Sequence, residues 1–174
     1  MSNATGAAAA PPKYRPLTFG VTRVNVRGED GGVQHLAADV PLQPFGERMS
    51  DRLVHWAKTT PDETFVAQRE RLTGGQLGDW RRVSYAQTLD AARRIGQALI
   101  DRGLSQERPV VILSDNGIDH ALLALGCIYA GIPFSPASPA YSTISKDYGK
   151  LRHVIDTLTP GLIWAEDGER YGPA

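Results

Sequence analysis

The sequence predicts an α/β fold: an open, mostly parallel sheet with crossover helices, preceded by a β-hairpin region. Three observations predict it. A short, wholly apolar run at 109–113 (PVVIL) reads as a strand buried on both faces. A helical repeat of apolar residues begins directly behind a capping-box tetrapeptide, Ser84-Tyr85-Ala86-Gln87. From 84 to 165 the patterns then alternate helix, strand, helix, strand, helix, strand, which implies right-handed crossovers between parallel strands.

Residues 1–16 (MSNATGAAAAPPKYRP) are rich in Ala and Pro, carry no apolar period and are expected to be a flexible tail. Residues 17–83 form the hairpin region. The pattern LTFGVTRVNV at 17–26 hints at a strand, and Glu29-Asp30-Gly31-Gly32 supplies a turn that folds it back onto 33–36. Residues 40–48 hold two prolines and read as extended loop. Ser50 is placed to cap a short helix at 51–59, with Leu53, Val54, Trp56 and Ala57 inward and Pro61 beyond its end. Residues 64–69 and 80–84 then flank a Gly-rich connection as a second hairpin.

Residues 84–174 form the α/β part. In the first helix Tyr85, Leu89, Ala92, Gly96 and Leu99 recur on one face, and Gly103-Leu104 reads as a left-handed stop. The strand at 109–113 turns through Ser114-Asp115-Asn116 into a second helix, with Ile118, Ala121, Leu122, Leu125, Ile128 and Tyr129 on one side and Gly131 at its end. A strand is expected at 132–135, and Pro133 places it at an edge or at its own start. An irregular Pro/Ser loop at 135–145, a helix at 146–158 and a strand at 161–165 follow. Residues 166–174 read as a Gly/Pro-punctuated tail with no helix. A sheet of this kind usually continues beyond such a strand, so the expectation is the front part of something larger.

The composition excludes several classes. Nineteen basic residues balance nineteen acidic ones, so no basic face for sustained nucleic-acid binding is expected. No stretch approaches the ~18 apolar residues of a membrane span, and no membrane partner is expected. The single cysteine, Cys127, lies in an apolar run, and a cytoplasmic protein is expected.

The candidate chemistry is sparse. The Gly-rich stretches at 74–78 and 28–32 lead into strands, not helices, and neither carries a Lys-Ser or Lys-Thr pair, so they read as hairpin turns. Asn116-Gly117 stands behind a buried strand at a helix start, where either a ligand contact or an N-cap fits. His35, His55, His120 and His153 form no i, i+3 or i, i+4 pair, so no metal site is indicated. His120, beside Asp119, reads as a surface residue, Cys127 as core, and Arg81-Arg82 as a solvated strand end. No serine stands in a G-x-S-x-G elbow. No catalytic, cofactor-binding or metal residue is assigned.

The order of blocks nevertheless resembles one family. Val83-Ser84-Tyr85-Ala86-Gln87-Thr88-Leu89 is similar to the early (L/V)-S-Y-x-x-L block of adenylate-forming enzymes, the superfamily of acyl-CoA synthetases and luciferases. The strand at 109–113 with Ser114 and Asn116 is similar to its strand-then-S-x-N segment, and residues 125–136 (LGCIYAGIPFSP) resemble its G-x-x-x-A-G-x-P block. Residues 135–142, 146–151 and 159–162 look most like bacterial feruloyl-CoA synthetases, and 51–57 and 61–69 fit them too. The likeness runs over about residues 14–172 and implies the N-terminal subdomain of the acyl-CoA synthetase/luciferase-like fold.

What the resemblance implies is a two-step ligase for an aromatic carboxylate such as ferulate. ATP with Mg would give an acyl-adenylate and pyrophosphate, and CoA would then displace AMP to form a thioester. The family's phosphate loop ending in Lys, its acidic metal ligand, its ribose-binding Asp and its C-terminal Lys have no counterpart here. Lys13, Lys58, Lys146 and Lys150 stand in no such context. The resemblance therefore carries over no site residue, and no cofactor is expected for this chain alone. The implied reading is an N-terminal fragment, inactive by itself, that self-associates or binds a full-length relative through an exposed sheet edge. The alternative is a stand-alone α/β binding or interaction module derived from such a ligase. A free-standing nucleotide-binding domain is disfavoured by the missing phosphate loop.

Overall fold

A computed structural model describes residues 23–29 and 31–174 and divides the chain into two units, one ending at Phe45 and one running from Gly46 to Ala174. The expected tail at 1–16 and the first part of the expected strand, 17–22, lie outside the described residues, as does Asp30.

In the first unit, β1 (Val24–Gly28) pairs antiparallel with β2 (Gln34–Ala38). The turn expected at 29–32 joins them, with Gly31 and Gly32 at φ +100° and +82°, where a side chain would be strained. The second strand starts at Gln34, one residue later than expected, and the Glu29 N–H donates to Val33 O in the same register at the mouth of the turn. Residues 40–46 have no regular structure, as expected.

The second unit opens with α1 (Asp51–Thr59). Its bounds match expectation but its cap does not. Ser50 is in helical backbone geometry and its side chain makes no capping bond; the Asp51 carboxylate instead accepts the Arg48 N–H at 3.0 Å. Leu53 is buried, but Trp56 is 42% exposed, which corrects its inward placement. Strands β3 (Thr64–Arg71) and β4 (Leu77–Ser84) form the second hairpin, antiparallel, around a 3₁₀ turn at Thr73–Gly75. Both strands are longer than expected.

Helix α2 (Tyr85–Asp101) starts at the capping box: Gln87 N–H donates to Ser84 Oγ at 3.3 Å, and Ser84 N–H to Gln87 Oε1 at 2.9 Å. It ends at Gly103 (φ +69°), whose N–H donates to Ile100 O while Leu104 N–H donates to Leu99 O. Leu99 and Leu104 then share one core cluster, the hydrophobic contact that accompanies this stop.

Strand β5 (Val110–Leu113) is the centre of a three-stranded sheet ordered β6-β5-β7, parallel throughout. Every residue of β5 is buried, and alternate residues serve opposite layers. Val110 and Ile112 pack with Leu99, Leu123 and Cys127 of α2 and α3 (Ile118–Ala130). Val111 and Leu113 pack with Leu151 of α5 (Gly149–Leu158). That three-layer arrangement is why the strand reads as uninterrupted apolar sequence. A third cluster, Leu53, Leu89 and Ala92, holds α1 against α2.

Several element bounds are corrected. Strand β6 (Phe134–Ala137) begins two residues late, because Gly131 adopts φ +71° and the Ile132 N–H is taken by Cys127 O in closing α3. Its edge position matches the reading of Pro133. The expected loop at 135–145 contains the end of β6 and a short helix, α4 (Pro139–Thr143), with Pro at its first position. Helix α5 starts at 149, not 146, because Asp147 Oδ1 and Ser145 Oγ accept the N–H groups of Gly149 and Tyr148 and bend the chain there. Strand β7 (Leu162–Ala165) begins one residue late. The expected tail forms a turn of helix, α6 (Gly168–Tyr171), capped by Asp167 Oδ1 on the N–H groups of Glu169 and Arg170; Tyr171 is buried beside Val111 and Leu151.

Candidate functional site

Parallel strands deliver their connecting loops to one end of the sheet, so the carboxyl ends of β5, β6 and β7 are where side chains of different elements meet. Ser114-Asp115-Asn116 follow β5, Ser138-Pro139 follow β6, and Glu166-Asp167 follow β7. The β3–β4 hairpin borders the same end through two contacts. Gln68 Oε1 accepts the Ile118 N–H at 3.0 Å and so caps α3 from another element. Arg81 holds Asp119 with two bonds of 2.8 and 3.2 Å. Gly117, not Asn116, is the residue that precedes α3. A Cβ there would lie 3.1 Å from Glu166 Oε1 and 3.4 Å from Gln68 Oε1, so glycine permits this close approach.

Clefts surround these residues. One of about 530 Å³ lies between the hairpin and α3, lined by Gln68, Arg69, Arg71, Arg81, Asp119 and Glu166. A second, about 510 Å³, lies between β5 and α6, lined by Asp115, Asn116, Glu166 and Arg170 among others. A third, about 300 Å³, lies between β5 and β6 beside Ser114, Asn116, His120 and Pro139. These volumes suit small molecules.

The electrostatics follow from the pairings. The hydrogen bonds from Arg81 hold Asp119 below the usual carboxylate range against partial desolvation, and the same bonds raise Arg81. Both side chains are about half exposed, so solvent screening limits this pair to ~0.5–1 kcal/mol. Arg170 binds Asp115, which ties α6 to the end of β5 and raises the guanidinium. Buried Ser114 sits 2.8 Å from His120 Nδ1, a hydroxyl–imidazole pair that orients the ring toward the third cleft's rim. His120 is half-buried and engaged, which corrects its reading as a plain surface residue. The sequence signal was its spacing: a residue seven positions past a strand's end, on the first turn of the next helix, returns over that end.

The other candidates are scattered. His35 pairs with Glu29 at 3.0 Å, His55 stacks edge-on with Trp56, and His153 is exposed on α5. Cys127 is fully buried, and desolvation pushes its thiol up to about 11. Arg82 lies 5.9 Å from the Trp80 ring and Lys150 5.5 Å from that of Tyr141. Lys58 lies in the last turn of α1, Lys146 precedes α5, and Lys13 lies outside the described residues. Gln68 and Arg170 escaped sequence reasoning, since an uncharged strand residue and a tail arginine carry no local signature. Among the described residues no three His, Cys, Asp or Glu side chains group as metal ligands, and no helix is long and apolar enough to cross a membrane.

Comparison with known proteins agrees with this architecture. The family model described as AMP-binding enzyme matches residues 53–164, from α1 through β7, and the chain belongs to that family. A probable non-canonical nonribosomal peptide synthetase, CymA, from Salinispora arenicola is 33% identical over 139 residues, covering 73% of this chain and 2% of its own length. The crystal structure of IdnL1 is 31% identical, with a TM-score of 0.56, covering 74% of this chain and 24% of that one. A fatty acyl-adenylate ligase from L. pneumophila, solved with acyl adenylate and pyrophosphate, superposes with a TM-score of 0.58 at 20% identity, covering 69% and 20%. The parallel sheet and its helices match the N-terminal part of adenylate-forming ligases. The chain thus spans a quarter or less of the length of these relatives.

Proposed function

We propose that the protein to which this chain belongs activates a carboxylic acid as an acyl-adenylate, and that this chain supplies scaffold to it, not catalytic groups. The carrying observation is the unbroken family match over residues 53–164. The described residues offer no phosphate cradle for ATP. Both Gly-rich turns lead into strands, and the lysines of the described residues stand away from them. The finer reading is a cytoplasmic enzyme that takes an aromatic acid such as ferulate and passes the acyl group to CoA. It rests on the block resemblance of residues 135–162, whereas the relatives found include a peptide synthetase and a fatty acyl-adenylate ligase.

The test captures the native product from source cells with an antibody against residues 84–165 and measures acid-dependent exchange of labelled pyrophosphate into ATP. Ferulate, a long-chain fatty acid and amino acids are compared, each with and without CoA. Exchange with ferulate and CoA-dependent AMP release are expected, with no exchange by the 174-residue chain alone. Exchange only with fatty or amino acids overturns the aromatic reading. Silence with every acid overturns carboxylate activation, and exchange by the isolated chain overturns the scaffold role.

A further inference from the structure

Buried Ser114 has one side-chain hydrogen-bond partner among the described residues, Nδ1 of His120 at 2.8 Å. That single contact fixes the tautomer of the ring. A hydroxyl sealed from water must place its proton on an acceptor, and Nδ1 is the one within reach. Were Nδ1 protonated, the Ser114 O–H would be left buried without a partner, a costly arrangement. Nδ1 therefore accepts, and the neutral imidazole carries its proton on Nε2. Among the described residues Nε2 has no partner, so the ring brings an unused N–H donor to the cleft of about 300 Å³ between β5 and β6.

The rest of that cleft suits such a donor. Pro136, Ala137 and Pro139 give it apolar walls, and Asn116 and Ser138 add an amide and a hydroxyl. Its one acidic side chain, Asp115, is bound by Arg170, so no unpaired charge lines it. Every lining residue belongs to the β5–α3 or β6–α4 segments. Strands β6 and β7 flank β5 on opposite sides, so a strand added beside β7 would extend the sheet away from this cleft.

We propose that the cleft binds a small uncharged oxygenated aromatic of the phenol class. The phenol oxygen accepts the His120 Nε2–H, its own proton goes to the Asn116 side-chain oxygen or the Ser138 hydroxyl, and the ring rests against the prolines. Ser114 is a positioning residue, acting through His120. An anion is disfavoured, because entering the cleft would strip its water with no free cation to replace it. Binding there is independent of which acid the whole protein activates.

Nitrogen-15 NMR of the 174-residue chain at about pH 8, above the ordinary imidazole value of ~6.5 and below that of a phenol at ~10, reads the His120 ring. Circular dichroism checks the fold of each variant. The proton is expected on Nε2, and phenol should shift the ring signals saturably. Toluene, which lacks the oxygen, and benzoate, which is charged, should each bind roughly 5-fold or more weaker, the effect of about one hydrogen bond. His120→Phe keeps a flat ring without the donor, and Ser114→Ala releases the imidazole. Each should weaken phenol binding by a similar factor, read at the Ala137 and Ser138 amides. A proton on Nδ1, no saturable shift with phenol, or toluene or benzoate bound as tightly as phenol overturns the proposal. So does unchanged phenol binding in a folded His120→Phe protein, and unchanged binding in folded Ser114→Ala overturns the positioning role.

Discussion

Gly126 sits where α3 crosses α2, and an alanine there tests how closely the two helices approach. A Cβ at 126 would lie 2.4 Å from Ile95 Cγ2 and 2.8 Å from Ile95 Cβ. Carbon atoms rest at roughly 3.5–4.0 Å, so the two contacts are short by about 1 Å. Rotating Ile95 relieves the Cγ2 contact but not the Cβ contact, since Cβ is fixed to the α2 backbone. The helices must therefore separate, and overpacking of this kind costs roughly 1–3 kcal/mol, here toward the upper end. The better helix propensity of alanine offsets ~1 kcal/mol. A net loss of ~1–2 kcal/mol remains, or about 2–8 °C in Tm for a chain of this size. Gly96, on the facing helix, is the control. A Cβ there would meet Gly126 O at 3.2 Å and Ala130 Cβ at 3.3 Å, contacts that yield with a shift of a few tenths of an ångström. Propensity then balances the strain, and Gly96→Ala should stay within ~0.5 kcal/mol of the parent. Urea unfolding followed by far-ultraviolet circular dichroism separates the two. A Gly126→Ala protein as stable as the parent, or more stable than Gly96→Ala, would refute the close crossing.

The other expectations concern charge and capping. Asp119 has its folded pKa depressed by Arg81. The stability this adds is present above its unfolded value of ~3.9 and is lost as pH falls through the lower folded value. Arg81→Gln should raise the Asp119 carboxyl in an NMR titration and flatten the acid loss of stability by ~0.5 kcal/mol; an unmoved Asp119 would count against the pair. Ser84→Ala should cost ~1 kcal/mol, because its hydroxyl accepts the Gln87 N–H, whereas Ser50→Ala should stay within ~0.5 kcal/mol. Equal losses at both serines in urea unfolding would contradict that distinction.

The readings that survived were those whose physics is local. The capping box at 84–87 and the left-handed stops at Gly103 and Gly131 each depend on a few consecutive residues, and each stands where the sequence places it. The buried β5 strand was legible for a different reason: a strand covered on both faces has no polar side to show. Trp56 was misplaced because helical periodicity names a face but not what covers it. Helix α6 was missed although Asp167-Gly168-Glu169-Arg170 is an adequate cap, because Gly and Pro on both sides suggested a tail. Its stability comes from seating Tyr171 against Val111 and Leu151, residues of distant elements.

The candidate site follows the same division. Sequence alone determined that β5 would end in Ser114-Asp115-Asn116 and lead into a helix, because strand, turn and helix are neighbours along the chain. It also determined the order of blocks by which the family is recognisable. Only the tertiary structure decided that Gln68 caps α3, that Arg81 binds Asp119 and that Arg170 binds Asp115. These partners lie 38 to 55 residues apart. Their pairing depends on how a hairpin and a terminal turn pack around the sheet, a choice made by the burial of many apolar side chains together, which no local pattern encodes.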